Sequence, residues 1–400
     1  MPLFHFYFPY IQYFLKRNLT QLFLSLAIRS FAMGMVVIFE PIYIYLAFQK
    51  SIPLALLFFG TTHGIYGLLA VYGGKAIAKF GLRNCIFLSH FLFFSYFLCL
   101  YLLPNFSWLI ALALFLKALG MTFFWPAFHT DFVRFSEKRR RGLEVGELQA
   151  VRAVPVIIAP AMGGWIVATF GYPVLFVIVF IILLVSILPL FLSKEKHEVY
   201  TDSYERAWLR IFERDNQNNN IALAATGIEI GINRYIWPIF LAVLAIPSFE
   251  IGGLSSFALG ISVLFSLYLG KIADTSRRFN LLNLGSFLTS LAWLFKYFVK
   301  TGLDALLAQS LYQLFRTSTT IPFSAIFYEK AALKKEEADE FIIYREIVFN
   351  LSRFFFFLIL AVLFVFVSQI NLAFIFAAII SLGLMFLGKL PKINLFKVNQ

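Results

Sequence analysis

Two stretches of this chain repeat each other at a fixed offset, and both consist of segments apolar enough to cross a bilayer. Gly74-Lys75-Ala76-Ile77-Ala78 closes one apolar segment, and Gly270-Lys271-Ile272-Ala273-Asp274 closes another 196 positions later. Pro126 and Pro322 keep the same separation, as do Asn84 and Asn280, while Pro41 and Pro238 differ by 197. Chance does not readily place four landmarks in one register in a chain with 14 Pro and 23 Gly. An internal repeat of this length implies one six-span unit used twice.

Composition agrees. Hydrophobic residues make up 60% and charged residues 14%, whereas soluble domains average about 45–50% and about 25%. The 51 Phe are read as codon bias tolerated by a bilayer and carry no functional inference. A net charge of +13 in a soluble chain points to nucleic acid. Here the basic residues fall between alternate apolar segments, which excludes nucleic acid as the partner and makes the lipid bilayer the first one. Cys85 and Cys99 lie fourteen residues apart on one expected helix. That is roughly 21 Å of rise, beyond disulfide reach.

Spans of about 20 residues are expected at 20–47, 53–73, 84–103, 107–128, 145–169 and 172–192, and again at 220–245, 250–270, 280–299, 304–327, 341–367 and 370–390. The fold class is therefore an all-α integral membrane protein with twelve transmembrane helices in two pseudo-symmetric six-helix bundles. The expected units are residues 1–193, a linker at 194–219 and a second bundle at 220–400. Lys16 and Arg17, Lys75 to Arg83, Arg134 to Arg141, Lys194 to Arg214, Lys271 to Arg278, Lys330 to Lys335, and Lys389, Lys392 and Lys397 all fall on one side, against little more than Lys50 and Lys300 on the other. The positive-inside rule then puts both termini in the cytoplasm of a cell-membrane protein. No convincing signal peptide precedes the first span: Lys16-Arg17 follow the aromatic run instead of leading it. In the linker, Asp202-Ser203-Tyr204-Glu205 reads as a capping box. It opens a short amphipathic helix with Tyr204, Trp208, Leu209, Ile211 and Phe212 beside Arg206, Arg210 and Arg214, expected to lie on the inner leaflet.

The loop Gly74-Lys75-Ala76-Ile77-Ala78-Lys79-Phe80-Gly81-Leu82-Arg83 resembles the signature loop of the major facilitator superfamily, with Ala78 where that pattern has Asp; the symmetric loop keeps Asp274. Ala159-Pro160-Ala161-Met162-Gly163-Gly164 on the fifth span is similar to the end of a motif of the family's proton-coupled antiporters. The resemblance covers residues 20 to 390. It implies a secondary transporter working by alternating access, not an enzyme, expected as a monomer. The proton gradient would be its energy source, with no cofactor and a small-molecule substrate. Beside it stands the packing logic of small residues. Gly60 and Gly64 let another backbone approach span two, span five is small-faced, and span eleven carries Phe354-Phe355-Phe356-Phe357.

An ionisable group inside a membrane costs several kcal/mol unless paired or wetted, so such groups are the site candidates. The first span holds Arg29 and Glu40, which share a face about 16 Å apart along the helix. The seventh holds Glu229 and Arg234, the fourth Lys117 and the tenth Arg316. The resemblance puts spans one, four, seven and ten around a central cavity, making these six residues the substrate and proton pathway. An Arg29–Glu229 ion pair across the halves is expected. Glu40, beside the kink-forming Pro41, and Glu229 are the proton-coupling candidates, although Glu40 reads equally well as an outer-end residue snorkelling to water. Asp274, Glu147 and Arg152 form an expected inner gate, with Arg353 and Glu346 standing in on the opposite side, where Ala78 replaces the acid. His63, His90 and His129 are lone histidines for which packing or interfacial roles outweigh metal binding. Two cargoes remain open: organic or amphiphilic compounds exported against protons, or an anionic metabolite held by arginines, since four cavity cations face two anions. Two other classes stand beside these: a membrane enzyme such as a lipid-modifying transferase, for which only Asp131 with His129 comes near the needed cluster, and a transporter-like receptor that moves nothing.

Overall fold

The computed structural model describes residues 18–135, 141–191, 200–273, 278–333 and 338–389. Among them every regular element is helical. α1 (Asn18–Val36) and α2 (Phe39–Ala47) form a single bent span, followed by α3 (Ile52–Phe80), α4 (Leu82–Leu102) and α5 (Leu109–Phe135). α6 (Arg141–Phe191) is interrupted at Gly171, whose φ of 82° only glycine adopts at ease; it therefore supplies the fifth and sixth spans on either side of the Gly171-Tyr172-Pro173 turn. The linker forms α7 (Tyr204–Phe212). The seventh span is α8 (Gln217–Gly231), a π-helical turn (Ile232–Ile236) and α9 (Trp237–Val243). α10 (Ser248–Ala273), α11 (Arg278–Tyr297), α12 (Gly302–Leu333), α13 (Ala338–Phe366) and α14 (Leu372–Ser381), prolonged by a 3₁₀ stretch (Leu382–Lys389), complete the chain. These elements agree with the twelve crossings expected, although the helices carrying the second, fourth and tenth run on to Phe80, Phe135 and Leu333, past the expected ends at 73, 128 and 327. Among the described residues six helices, and the bent α1–α2 pair, pass a length-and-hydropathy test for spanning by themselves.

The two symmetry-related prolines distort their helices in different ways. Pro41 has no N–H to offer the carbonyl of Val37, and its ring crowds that residue. The helix breaks at Val37–Ile38 and bends by 43°. Pro238 poses the same problem to Arg234, yet here the helix widens into the π turn just before it. A π turn shifts hydrogen bonding by one residue and re-aims the side chains it carries, in this case Asn233, Arg234 and Tyr235.

Small residues set the closest helix contacts. A Cβ added to Gly163 would lie 2.0 Å from the Met35 carbonyl oxygen of α1. One on Gly164 would lie 2.5 Å from the Ser248 carbonyl of α10, and one on Gly252 of α10 would lie 2.5 Å from the Pro160 carbonyl. The small-faced fifth span is thus wedged between α1 and α10 at backbone contact. The Ala161 N–H donates to Ser256 Oγ at 2.9 Å across the same seam. The glycines of α3 receive the bulky face of α13: a Cβ on Gly64 would stand 2.9 Å from the Phe354 ring, and one on Gly60 3.2 Å from the Phe357 Cβ. Helices from the two halves of the sequence therefore meet along two seams, α6–α10 and α3–α13.

The linker helix forms where expected, but its cap differs. Ser203 Oγ accepts from the Arg206 N–H at 3.1 Å, while Asp202 is held by Arg210 through Nε at 2.5 Å and a second guanidinium nitrogen at 3.1 Å. Asp202 therefore closes an ion pair along the helix and leaves the capping to Ser203. Tyr204 and Trp208 turn toward the bundle, and Leu209 and Phe212 turn away from it, 60% and 77% exposed. The preceding residues are pinned to both halves: Tyr200 packs on Gly74, and Thr201 donates through N–H and Oγ1 to Glu340 at 3.0 and 2.7 Å. Burial, with Asp202 and Glu340 adding to it, raises the Tyr200 hydroxyl above the ordinary tyrosine range.

The α6–α10 seam predicts a steric lever. Gly252→Val forces the helices apart; overpacking of this kind costs about 1–3 kcal/mol. A thiol placed at the seam by Ser256→Cys should react with a membrane-impermeant maleimide several-fold faster in the Gly252→Val background than without it. Equal rates would mean that the seam does not hold this conformation closed.

Candidate substrate and ion pathway

The first half buries a carboxylate on its own cation. Glu40 lies in the first turn of α2, just past the Pro41-induced break, and is 1% exposed. Lys117 of α5, 3% exposed, donates to Glu40 Oε1, and Tyr96 Oη of α4 donates to the same oxygen. Glu40 is therefore no snorkelling residue: the bend turns it inward. The Lys117 ammonium also sits over the rings of Phe59 at 4.8 Å, Tyr235 at 5.3 Å and Tyr96 at 5.4 Å. Aromatic faces around a desolvated ammonium stabilise its charge where oxygen ligands run out.

The second half repeats the plan with different residues. Glu229 of α8 is fully buried. Arg316 of α12 approaches it at 2.7 Å, Tyr312 Oη donates at 2.6 Å, and the indole N–H of Trp293 on α11 donates at 3.2 Å. Arg316 is fixed in turn by Thr319 Oγ1 at 2.6 Å and Thr320 Oγ1 at 3.0 Å. Each half thus carries an acid on its first span, an aromatic donor on its third and a cation on its fourth. Chemistry is repeated here, although Glu40 and Glu229 are 189 positions apart and fall outside the 196-residue register.

A separate hydrogen-bonded chain joins the two halves. Tyr235, presented by the π turn, stacks on Phe59 of α3 with centroids 4.2 Å apart. Its hydroxyl meets His63 Nε2 of α3 at 3.0 Å, and His63 Nδ1 meets Asn350 Oδ1 of α13 at 2.7 Å. The Asn350 amide donates to the Glu346 carbonyl at 2.7 Å, so its oxygen faces the imidazole. The proton then belongs on His63 Nδ1, and Nε2 accepts from Tyr235. Glu346 accepts from Tyr66 Oη at 2.8 Å and from Arg345 at 2.7 Å, and Arg345 also meets His129 Nε2 at 3.0 Å. His63 and His129, expected as lone packing residues, are members of this buried polar chain.

Of the other candidates, Arg29 is buried, with its guanidinium 3.7 Å from the Phe124 ring centroid and 4.8 Å from that of Phe93. The expected Arg29–Glu229 pair is not formed in this conformation, because Glu229 is taken by Arg316, Tyr312 and Trp293 within its own half. Arg234 lies over the Tyr235 ring at 5.7 Å, and its Nε is buried without a hydrogen-bond partner. Arg353 donates from Nε to the Gly227 carbonyl at 2.6 Å, tying span eleven to span seven. Of the expected gate, Asp274 and the side chains of Glu147 and Arg152 lie outside the described residues. Sequence reasoning missed Tyr96, Trp293 and Tyr312, which look like ordinary membrane aromatics, and Lys296, which sits at the end of a span like a loop cation.

The Glu40–Lys117 pair yields a stability prediction. Removing one partner of a buried ion pair costs about 3–5 kcal/mol, because a lone charge is left behind. Lys117→Met should lower the thermal midpoint of the purified chain clearly. The double substitution with Glu40→Gln should recover most of the loss, as read by scanning calorimetry. Additive losses would mean that the two charges do not depend on each other.

Comparison with known proteins follows the same lines. The family profile described as the Major Facilitator Superfamily matches residues 22–356. Among curated proteins none matches the chain in sequence. Among solved structures, the chain is similar to FucP, a Major Facilitator Superfamily transporter in the outward conformation, with a TM-score of 0.66 at 14% identity over 93% of this chain and 97% of that one. A variant of FucP, described as the E. coli fucose:proton symporter, matches with the same score, identity and coverage. At that identity the likeness speaks for the fold. The profile covers most of the sequence, so this multi-pass membrane chain belongs to the major facilitator superfamily of secondary transporters.

Proposed function

We propose that the protein is a proton-coupled secondary transporter of small organic solutes, exporting them through the path between its two halves. The observation that carries this reading is the pair of buried carboxylate–cation sites, Glu40–Lys117 and Glu229–Arg316, one in each half. Beside the first of them Tyr235 and His63 join the two halves at the seam that alternating access must open. A buried ion pair is held by geometry; when water enters, protonation changes its strength and hence the preference between conformations. Export is supported by the fifth-span motif Ala159–Gly164, in which Gly163 meets the α1 backbone and Gly164 the α10 backbone. The basic residues of alternate loops support a cell-membrane location with both termini in the cytoplasm.

A second reading concerns the cargo. Among the described residues Arg234, Lys296 and Arg353 have no carboxylate partner, so the pathway holds more positive than negative charge. Charge neutrality in a low-dielectric interior then favours an anionic solute over a cationic one.

The full chain reconstituted in proteoliposomes with trapped pyranine tests both. Uphill proton movement is expected on adding one solute class from a panel of sugars, organic anions and lipophilic cations. It should fall at least ten-fold in Glu40→Gln and Glu229→Gln. Solute flux that persists in both variants with unchanged pH dependence would reject coupling through these sites. Competition by lipophilic cations alone would reject the anionic cargo.

A further inference from the structure

Lys296 is a pathway residue to which the two ion-pair sites give no part. It lies in the last turn of α11 and is 0% exposed. Its Nζ has one oxygen partner, Asn233 Oδ1 of the π turn, at 2.8 Å. Otherwise it is enclosed by rings, with centroids at 3.9 Å for Tyr312, 4.2 Å for Trp237 and 4.3 Å for Trp293. An ammonium has three N–H bonds to place and finds one oxygen and three π faces; a neutral amine has only two. The cage residues also serve Glu229, since Trp293 and Tyr312 both donate to that carboxylate.

The groups facing Lys296 come from every element around it. They are Glu229 on α8, Asn233 on the π turn, Trp237 on α9, Trp293 on its own helix, and Tyr312 with Arg316 on α12. Phe374 of α14 stacks on the far side of Trp293. Glu229 is the one acid among them; its Oε1 accepts from Tyr312 and Trp293, and Arg316 lies 2.7 Å from its Oε2. The end of the α11 dipole, the Glu229 charge and the three ring faces favour an ammonium; burial and the shortage of oxygen acceptors oppose it. Opposed terms of this kind bring the two protonation states of one group within reach of each other.

We propose that Lys296 is a proton carrier of the transport cycle, loading and releasing a proton inside the Trp237–Trp293–Tyr312 cage. The proposal rests on the proton-coupled reading of the Glu229–Arg316 site and names the group there that moves the proton. On release one Nζ–H bond breaks, the proton passes to water admitted beside Asn233, and the electron pair stays on nitrogen. Loading is the reverse. Because Asn233 belongs to the π turn and Tyr235 of the same turn binds His63, the charge on Lys296 is mechanically linked to the seam between the halves.

The test uses the full chain in nanodiscs, with Trp108, Trp125, Trp165 and Trp208 replaced by Phe, leaving the two caging indoles as reporters. Emission is followed from pH 5 to pH 10 without solute or gradient. A single-proton step is expected, absent in both Lys296→Gln and Lys296→Arg and kept in Glu229→Gln; size-exclusion profiles confirm that each variant is folded. The arginine variant preserves charge and length should the glutamine variant fail to fold. No step in the parent protein, or an unchanged step in either lysine variant, overturns the proposal. A step lost in Glu229→Gln but kept in the lysine variants assigns the proton to the carboxylate, which sinks Lys296 and leaves the proton-coupled reading standing. Failure of that broader reading shows separately, as proteoliposomes in which no solute moves protons.

Discussion

Every polar feature of this molecule answers to the cost of an unpaired charge in hydrocarbon. Glu40 and Glu229 are tolerable there because each is gripped by a cation and by aromatic hydroxyl or indole donors from neighbouring spans. Those grips decide much else. Lys117 and Arg316 fix how α5 and α12 face the first span of their respective halves. Tyr96, Trp293 and Tyr312 must point inward, and the surrounding Phe-rich faces keep water from competing. Transport then has something to work against, because a paired charge is stable only while its partner is in place.

Seen this way, the two halves are alike in composition of the grip and unlike in its depth and surroundings. Glu40 sits just beyond a proline break, whereas Glu229 precedes a π turn on the seventh span. The same missing N–H, at Pro41 and Pro238, is absorbed once by bending and once by widening. Bending redirects a whole helix end. Widening hands three consecutive side chains, Asn233, Arg234 and Tyr235, to Lys296, the Tyr235 ring and His63. The second half thereby acquires the contacts that reach across the seam.

Much of this was legible in the residues. Apolar periodicity and the 196-residue offset located all twelve crossings, because span length is set by bilayer thickness and turns by Gly and Pro. The rarity of charges in apolar segments singled out Glu40, Lys117, Glu229 and Arg316. Which cation meets which acid was not legible: Arg29 and Glu229 lie at similar heights on their spans, but helix rotation gives Glu229 to Arg316 and sets Arg29 against Phe93 and Phe124. Lys296 escaped notice because a lysine at the end of a span ordinarily reaches water, and only the packing of α9 and α12 over it closes that route. His63 escaped because its partners lie 172 and 287 positions away.

The backbone contact of Gly164 with α10 has a consequence for how fast such a molecule can move. Where main chain rests on main chain there are no rotamers to reorder, and parting the surfaces frees almost no side-chain entropy. The seam behaves as a smooth bearing: its opening is resisted by dispersion forces spread along the contact and not by an interlocking barrier. The bundle's stiffness resides in its buried ion pairs and its ease of motion in its glycines, so rate and coupling can be tuned by separate sets of residues.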